Sequence, residues 1–381
     1  MWKKVISRGG AFKRPDYWFP SEKALKGDAI SDMNVPRNLT SEEEWISVKD
    51  FLRPVMVSFV ECKNVLLEGV TFSNSPSWNL HPLLCENVIV DNVKVRNPSY
   101  AQNGDGLDLE SCKNVLVVNS SFDVGDDGIC IKSGKDEDGR KRGRPTENVI
   151  IHNCKVYKGH GGIVIGSEMF GGVKNIKVSE CSFLGTDVGL RFKSRRGRGG
   201  VVENIFVDNV IMNDITTDSI LFDLFYGGRS AVESLEAGEE SFTEQDPDVS
   251  VTEETPVFRN FSFRNITFVN TRRAAFLNGL PEMNIQNVRF ENIVVSGLLG
   301  MEFCESDSIT LQNVSVFCKE GVPLTLNNVK NLLVSGFNYS DSLKKVVVIG
   351  GKTSHSLGSL FDSVPLEKID LWKGACLEQL K

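Results

Sequence analysis

The sequence predicts an all-β protein, a single-stranded right-handed parallel β-helix of about ten coils, and two observations support this fold. A leading Asn followed by two short aliphatic-x-aliphatic segments recurs from residue 62 onward. Within each copy, β-branched and aromatic residues alternate at period two, which is the pattern of paired strands. The copies start 21 to 34 residues apart except for one gap of 56, so each copy corresponds to one coil of a solenoid.

The leading Asn of each copy is predicted to lie at a turn, where Asn tolerates left-handed backbone and can hydrogen-bond to the Asn of the next coil. The copies begin at Asn64, Asn87, Asn114, Asn148, Asn175, Asn204, Asn260, Asn287, Ser308 or Asn313, and Asn331. Cys62, Cys85 and Cys112 each lie two residues before a leading Asn, so we expect a buried ladder of thiols. The nine Cys are odd in number and form no CxxC pair, which argues against a disulfide framework and a zinc ribbon.

Several segments flank or interrupt the repeat. Residues 1–50 carry no copy of it and are predicted to be an irregular lead-in, which could be the remnant of a longer N-terminal region. Residues 51–381 are predicted to be the β-helix domain, ending in a cap at 343–381. Two solvated loops are expected within it, one of mixed charge at 134–145 and an acidic insertion at 229–256. The acidic insertion is either a surface excursion or one wall of a cleft.

Composition excludes several classes of protein. The chain has 381 residues, 40% hydrophobic and 24% charged, which is typical of a globular protein and not of a disordered polymer. Its net charge of −7 gives no overall attraction to nucleic acid or to an anionic membrane, and neither partner is expected. No apolar run is long enough for a transmembrane helix, and residues 1–19 lack the apolar core of a secretory signal. As written the chain is expected to be cytoplasmic, or periplasmic or secreted if its N-terminus is incomplete.

Charged residues suited to catalysis occur in turns between residues 103 and 198. They lie in four motifs, Asn103-Gly104-Asp105, Gly125-Asp126-Asp127-Gly128, Gly159-His160-Gly161, and Arg191-Phe192-Lys193 followed by Arg195, Arg196 and Arg198. Asp126 and His160 both stand twelve residues after a leading Asn, so they are predicted to be stacked neighbours. Asp105 lies one period before Asp126 and Asp127, so three carboxyl groups are expected to converge.

Such a cluster raises the pKa of at least one carboxyl, and the resulting division into an acid and bases is what glycoside hydrolysis requires. Arg191 and Lys193 alternate on one face of a strand, where they could hold the carboxylate of an anionic substrate. Taken singly, NGDG and GDDG are also turn or calcium-loop sequences, and the basic stretch is also typical of a solvated loop. Their order on consecutive coils favours a common site.

These motifs resemble those of the polygalacturonase family, glycoside hydrolase family 28. The family's NTD, G/QDD, GHG and RIK motifs correspond to NGD, GDD, GHG and RFK at residues 103–105, 125–127, 159–161 and 191–193. The segments RPVMVSFVECKNVLLEGVTFSNSPSWNLHP, GICIKSGKD and GGIVIGSEMFGGV resemble its bacterial exo-acting branch, and the resemblance covers about residues 50–340. It implies a pectin-lyase-like solenoid and an inverting, exo-acting hydrolase of α-1,4-galacturonosyl linkages in pectin or oligogalacturonides. We expect the protein to be a monomer.

The resemblance also implies a role for each matching residue. Asp126 would be the general acid, Asp105 and Asp127 would activate the attacking water, and His160 would tune the ionisation of the acid. Arg191 and Lys193 would bind the galacturonate carboxylate. The remaining substrate-binding candidates, which lie in the NGD motif and in GICIKSGKD, are Asn103 and Lys132. No metal and no cofactor is implied.

Two departures and three alternatives accompany this hypothesis. Gly104 stands where the family usually has Thr, which is expected to relax the turn that carries Asp105, and Phe192 replaces an Ile. Trp78 and His81 could line the cleft or be packed in the interior. The alternatives are a rhamnogalacturonan or xylogalacturonan hydrolase, a calcium-dependent pectate lyase on a similar β-helix, and a non-catalytic carbohydrate-binding β-helix. The sequence leaves open chain-end preference, tolerance of esters or branches, pH optimum and oligomeric state.

Overall fold

A computed structural model describes residues 11–14, 17–19, 39–48, 53–227, 249–372 and 374–380. Most of the predicted lead-in and most of the acidic insertion, residues 229–248, therefore lie outside the described residues.

The described strands comprise a separate antiparallel pair, β1 and β2, within the predicted lead-in, and the solenoid strands from β3 onward. They are β1 Ala11–Arg14, β2 Tyr17–Phe19, β3 Val57–Val60, β4 Lys63–Glu68, β5 Thr71–Ser73, β6 Leu80–Leu83, β7 Glu86–Asp91, β8 Lys94–Arg96, β9 Leu107–Glu110, β10 Lys113–Val118, β11 Ser121–Asp123, β12 Asp127–Lys132, β13 Thr146–His152, β14 Lys155–Tyr157, β15 Gly161–Gly166, β16 Val173–Ser179, β17 Ser182–Leu184, β18 Leu190–Lys193, β19 Val201–Asn213, β20 Asp218–Asp223, β21 Val257–Asn278, β22 Ile285–Cys318, β23 Leu324–Tyr339, β24 Val347–Gly350 and β25 Ile369–Leu371. The helices are α1 Glu42–Val48, α2 Asp136–Arg142, α3 Gly358–Ser363 and α4 Leu377–Leu380, with a 3₁₀ turn at Leu366–Lys368.

The predicted right-handed parallel β-helix is confirmed. From β3 onward every strand pairing is parallel, and each strand pairs with its counterpart one coil away. Strands β9, β12, β15 and β18 lie on successive coils and belong to one sheet, called the first sheet below. In it Leu107 pairs with Ile129, Ile129 with Ile163, and Ile163 with Leu190. This register brings turn residues of neighbouring coils together. No described helix is long and apolar enough to cross a membrane.

The predicted ladders of Asn and Cys are present. Asn87 has φ +58° and donates from Nδ2 to Oδ1 of Asn64 at 3.0 Å, and later coils repeat this bond. None of the nine Cys forms a disulfide. The Cys112 thiol is buried and donates to the Pro82 carbonyl at 3.2 Å, whereas Cys62, in the first described coil, is only half-buried. Both ladders link coils without disulfides.

The core lies inside the coils. Inward positions carry Val, Ile and Leu in the first coils and a stack of Phe in the later ones. Phe192 lies 4.3 Å from Phe222, and Phe222 lies 4.8 Å from Phe261, measured between ring centroids. Phe192, noted above as a replacement for Ile, therefore begins an aromatic core. Burying rings of this size stabilises the solenoid beyond what the short strands supply.

The mixed-charge loop predicted at residues 134–145 is a helix over most of its length, and that expectation was wrong. Helix α2 has three acidic residues in its first turn and three basic residues in its last, which suits the helix dipole. It ends at Gly143, which has φ +57° and whose N–H bonds to the Gly139 carbonyl. The helix places Arg140 and Arg142 beside the first sheet, where they meet Glu254 and Glu110.

Candidate active site

The four motifs meet on the outer face of the first sheet, over β9, β12, β15 and β18. Alternation explains this placement, because the neighbouring strand residues Leu107, Ile129 and Leu190 point into the core. The residues between them, such as Asp108 and Arg191, are therefore directed outward. Both are nevertheless almost fully buried, at 0% and 2% exposure, so neighbouring groups cover them.

The predicted stacking of Asp126 and His160 is confirmed. The His160 N–H donates to the Asp126 carbonyl at 3.1 Å, and His160 Nδ1 lies 3.2 Å from Asp126 Oδ1. The glycine before the histidine allows this approach, because Gly159 has φ +82° and a Cβ there would lie 2.4 Å from the Asp126 carbonyl oxygen. His160 is thus fixed in place by backbone and side-chain bonds together.

The structure also brings Asp105 to Asp127. Leu107 pairs with Ile129, and the N–H of Gly106 bonds to the Asp127 carbonyl at 2.9 Å, so Asp105 stacks on Asp127 and not on Asp126. A side-chain oxygen of each lies within 4.8 Å of the other.

The turn that carries Asp105 is closed by Gly104. Its N–H bonds to the Ala101 carbonyl at 3.1 Å, and a Cβ at residue 104 would lie 2.8 Å from that same oxygen. A side chain at residue 104 would therefore be crowded in this turn, and the expected relaxation relative to Thr stays a prediction.

Two lysines neutralise much of the negative charge. Lys193 Nζ donates to Asp127 Oδ2 at 2.8 Å. Lys132 Nζ donates to Glu168 Oε2 at 3.0 Å and lies 3.6 Å from Asp108 Oδ1. Each of these lysines is more than nine-tenths buried. Buried charges of this kind are tolerated because they are paired.

Arg191 lies under an aromatic ring that the sequence did not single out. Its guanidinium carbon is 5.3 Å from the centroid of Tyr226, and Lys193 Nζ is 5.3 Å from the same centroid. Tyr226 follows β20, at the point where the acidic insertion begins, and no repeat offset marks it. The two cations proposed to hold a substrate carboxylate therefore share one aromatic wall.

The remaining candidates flank the acid cluster. Asn103 Oδ1 accepts a bond from Arg53 Nη2 at 2.6 Å, so the NGD motif is tied to the chain entering the first coil. Lys132 Nζ lies 4.8 Å from the Trp78 ring centroid, and the Trp78 ring meets His81 edge-on at 5.1 Å. Trp78 and His81 thus stand beside the cleft and not in the core.

Burial and neighbouring charges set the protonation of the acids. Burial, followed by the negative charges of Asp108 and Asp126, raises the pKa of Asp105 well above its usual value. Burial likewise raises the pKa of Asp108, with Lys132 opposing it. These two carboxyls are therefore expected to stay protonated at higher pH than free carboxyl groups do.

Asp126 and His160 behave in the opposite way. Burial disfavours the charged form of each, but the opposite charge and the hydrogen bond outweigh it. The pKa of Asp126 falls below its usual value, and the pKa of His160 rises from 6.5 to about 9. The pair therefore keeps its proton on the imidazole. The cluster therefore contains carboxyls with raised and with lowered pKa values, as the sequence led us to expect. The raised values belong to Asp105 and Asp108, and the lowered value belongs to Asp126.

Asp187 is a further partner of the histidine that the sequence did not indicate. Its Oδ2 lies 4.0 Å from His160 Nε2, and its Oδ1 accepts a bond from Thr216 at 3.1 Å. His160 thus stands between two carboxylates on neighbouring coils. The residue lies four positions before Arg191, in a turn without a recognisable motif.

A metal ion does not suit the acid cluster. Oxygens of Asp105 and Asp127 and the Cys130 thiol are close enough to share an ion. The thiol, however, already donates a hydrogen bond to the Gly166 carbonyl at 3.3 Å. A dication would also lie beside the Lys193 ammonium that already binds Asp127.

Comparisons with known proteins agree with the fold. The sequence profile of the family described as glycosyl hydrolases family 28 matches residues 46–235. A probable polygalacturonase of Vitis vinifera is 26% identical over 64% of this chain and 47% of its own length. An exo-poly-alpha-D-galacturonosidase of Dickeya chrysanthemi is 25% identical over 74% of this chain and 46% of its own.

Among solved structures, a hyperthermoactive exopolygalacturonase from Thermotoga maritima superposes with a TM-score of 0.57 and 31% identity, covering 70% of this chain and 62% of that one. The chain spans about half the length of the two curated relatives named above.

Proposed function

Because residues 46–235 belong to glycoside hydrolase family 28, we propose that the protein hydrolyses α-1,4-galacturonosyl linkages of pectin by single displacement, acting from a chain end. The observation that carries this proposal is the buried cluster of Asp105, Asp126 and Asp127, stacked against His160 and joined to Lys193. It offers carboxyl groups in different protonation states beside cations suited to a uronate.

Asp126 would donate the proton to the glycosidic oxygen, supplied by His160 across the 3.2 Å contact. Lys193 is among the groups that lower the pKa of Asp126. When a substrate carboxylate binds Lys193 and Arg191, it cancels part of their positive charge, so the pKa of Asp126 rises and the proton moves from Nδ1 to Oδ1. The leaving sugar then departs as the alcohol.

Asp127 would accept a proton from the attacking water, with Asp105 beside it. The water oxygen bonds to the anomeric carbon on the face opposite the leaving group, which inverts the configuration. One proton thus enters the leaving sugar at Asp126, and one leaves the water at the Asp105–Asp127 pair. Proton transfer by positioned groups of this kind contributes about 10²- to 10⁴-fold to rate.

Exo action is supported by the residues that replace Arg191 at the equivalent positions of the following coils. In the two coils beyond Arg191, the equivalent outward positions are Leu221 and Phe276, which are buried and apolar. A galacturonan carboxylate therefore meets apolar side chains at the equivalents of Arg191, and the equivalent of Lys193 in the next coil is the acidic Asp223. The exo-acting names of the Dickeya and Thermotoga proteins agree with this proposal.

The experiment is a product assay on polygalacturonate, with and without a chelator, for the full chain and for Asp126→Asn. We expect saturated galacturonate or digalacturonate, unchanged by the chelator and reduced at least 100-fold in the variant. Asp341→Asn, which changes an exposed carboxylate in the turn after β23, is the matched control and should retain full activity.

Three outcomes would contradict the proposal. Unsaturated, calcium-dependent product would indicate a lyase. A folded protein that binds galacturonan without product would indicate a binding-only β-helix. An immediate mixture of internal fragments would refute exo action alone.

A further inference from the structure

The basic stretch after β18 carries a cation that the proposed mechanism leaves unused. Arg198 lies with its guanidinium carbon 5.7 Å from the centroid of Tyr226, the ring that also covers Arg191 and Lys193. One aromatic side chain thus joins Arg198 to the two residues proposed to hold a galacturonate carboxylate.

Arg198 is held on a second side by Phe170, whose ring centroid is 5.8 Å from the guanidinium carbon. Its Nη1 is buried and has no hydrogen-bond partner among the residues that the structure describes. A buried cationic donor without an acceptor is costly, and burial lowers the pKa of Arg198. The geometry therefore places an unsatisfied donor at the rim of the acid cluster.

The backbone around Arg198 is fixed. The N–H groups of Gly197 and Gly199 both bond to the Glu254 carbonyl, at 3.0 and 2.8 Å, and Arg140 donates to the Gly197 carbonyl at 3.1 Å. A Cβ at residue 199 would lie 2.2 Å from the Glu253 carbonyl oxygen, so the close approach requires glycine. Little ordering entropy remains to be lost when a ligand binds here.

The neighbouring arginines of the same loop differ. Arg196 is bound to Glu282 through Nε at 2.6 Å and Nη2 at 2.7 Å, which gives it a structural role. Arg195 is exposed. Arg198 alone among these three combines aromatic clamping with a buried donor that no described residue satisfies.

We propose that Arg198 binds the carboxylate of a second galacturonosyl unit, next to the unit held by Arg191 and Lys193. This inference rests on the proposed function and deepens it. A guanidinium presents a planar pair of donors that fits a carboxylate, and the Tyr226 and Phe170 rings both lie within 6 Å of this one. Arg198 thereby makes the enzyme selective for chains in which two neighbouring sugars carry free carboxylates.

The test compares the full chain with Arg198→Gln on trigalacturonate and on its three mono-methyl esters, each esterified at a different unit. For the free acid we expect kcat/KM to fall about 10- to 100-fold in the variant, as for loss of a charge-assisted hydrogen bond. For one of the esters, the wild-type protein should show a similar loss and the variant no further loss. Arg195→Gln makes the same charge change in the same loop and should behave as wild type.

A second readout separates binding from chemistry. In an Asp126→Asn background, calorimetric binding of trigalacturonate should weaken by the same factor when Arg198→Gln is added. If that double variant does not fold, Arg198→Lys keeps the charge without the planar fork and should lose part of the affinity.

Two results would overturn the inference. One is unchanged kcat/KM in Arg198→Gln. The other is an equal loss on the free acid and on all three esters, which would mean a purely structural role. A wild-type protein inactive on every galacturonide would instead refute the proposed function.

Discussion

The strongest electrostatic prediction concerns His160, which lies between Asp126 and Asp187. Its ring is 11% exposed, and its pKa is raised from 6.5 to about 9 although burial alone would lower it. Because the raised value depends on the two carboxylates, we expect the imidazole to remain charged throughout the neutral range.

The magnitude follows from the two pKa values. A rise from 6.5 to about 9, at roughly 1.4 kcal/mol for each pH unit, corresponds to about 3 kcal/mol. The folded pKa of His160 exceeds the unfolded one, so its contribution to stability is fully present below pH 6.5. That contribution is lost as the pH rises through about 9. Hydrolysis should decline over the same range, since the proton destined for Asp126 is then lost.

The assay is nuclear magnetic resonance of a histidine-labelled chain. The protein has only four histidines, and the signal missing from His160→Gln identifies the ring in question. Urea unfolding at pH 6 and pH 9 then compares the two proteins. The wild-type protein should lose more stability between these pH values than the variant, by up to about 3 kcal/mol.

A His160 signal that titrates near pH 6.5 would refute this reasoning. The same holds if wild-type protein and His160→Gln lose equal stability between the two pH values. Either result would mean that Asp126 and Asp187 do not hold the charge.

Further predictions address the supports of the site and of the core. Asp187→Asn should lower the pKa of His160 and move the alkaline decline of activity to lower pH, and an unchanged profile would contradict the role of this contact. Arg53→Gln removes a donor to Asn103 Oδ1, the Gln102 carbonyl and the Pro76 carbonyl, so kcat should fall about 10-fold with little change in KM, whereas a change in KM alone would count against positioning. Phe222→Ala opens the aromatic stack and should cost about 3–5 kcal/mol in urea unfolding, a value below 1 kcal/mol being incompatible with tight packing.

Repeat arithmetic predicted contacts well where coils are regular. The twelve-residue offset placed Asp126 beside His160 because the strands between them keep their register, Val115 opposite Val149 and Phe122 opposite Val156. For Asp105 the same arithmetic left two neighbours open. A period of 21 residues leads from Asp105 to Asp126, and a period of 22 leads to Asp127. Only the strand register of the structure shows that the period is 22 and the neighbour is Asp127.

Residues outside the repeat escaped prediction for a physical reason. Arg53, Asp187 and Tyr226 come from the chain entry, a turn and a strand end, where no period ties sequence position to spatial position. Helix α2 was missed because a seven-residue helix has too few turns to show an apolar face. Its charge order, acidic then basic, and the following Gly143 were the available signals.

The stacked coils impose a charge order that bears on selectivity. Equivalent positions lie about 4.8 Å apart along the axis, so each buried carboxylate requires a cation on a nearby coil. Lys193 meets this need for Asp127 and, after the larger effect of His160, also helps to lower the pKa of Asp126. A neutral polysaccharide would leave that positive charge uncompensated, and the proton would stay on His160. Discrimination between uronates and neutral sugars is therefore expected in kcat as well as in KM, because the carboxylate of the substrate releases the proton that cleaves it.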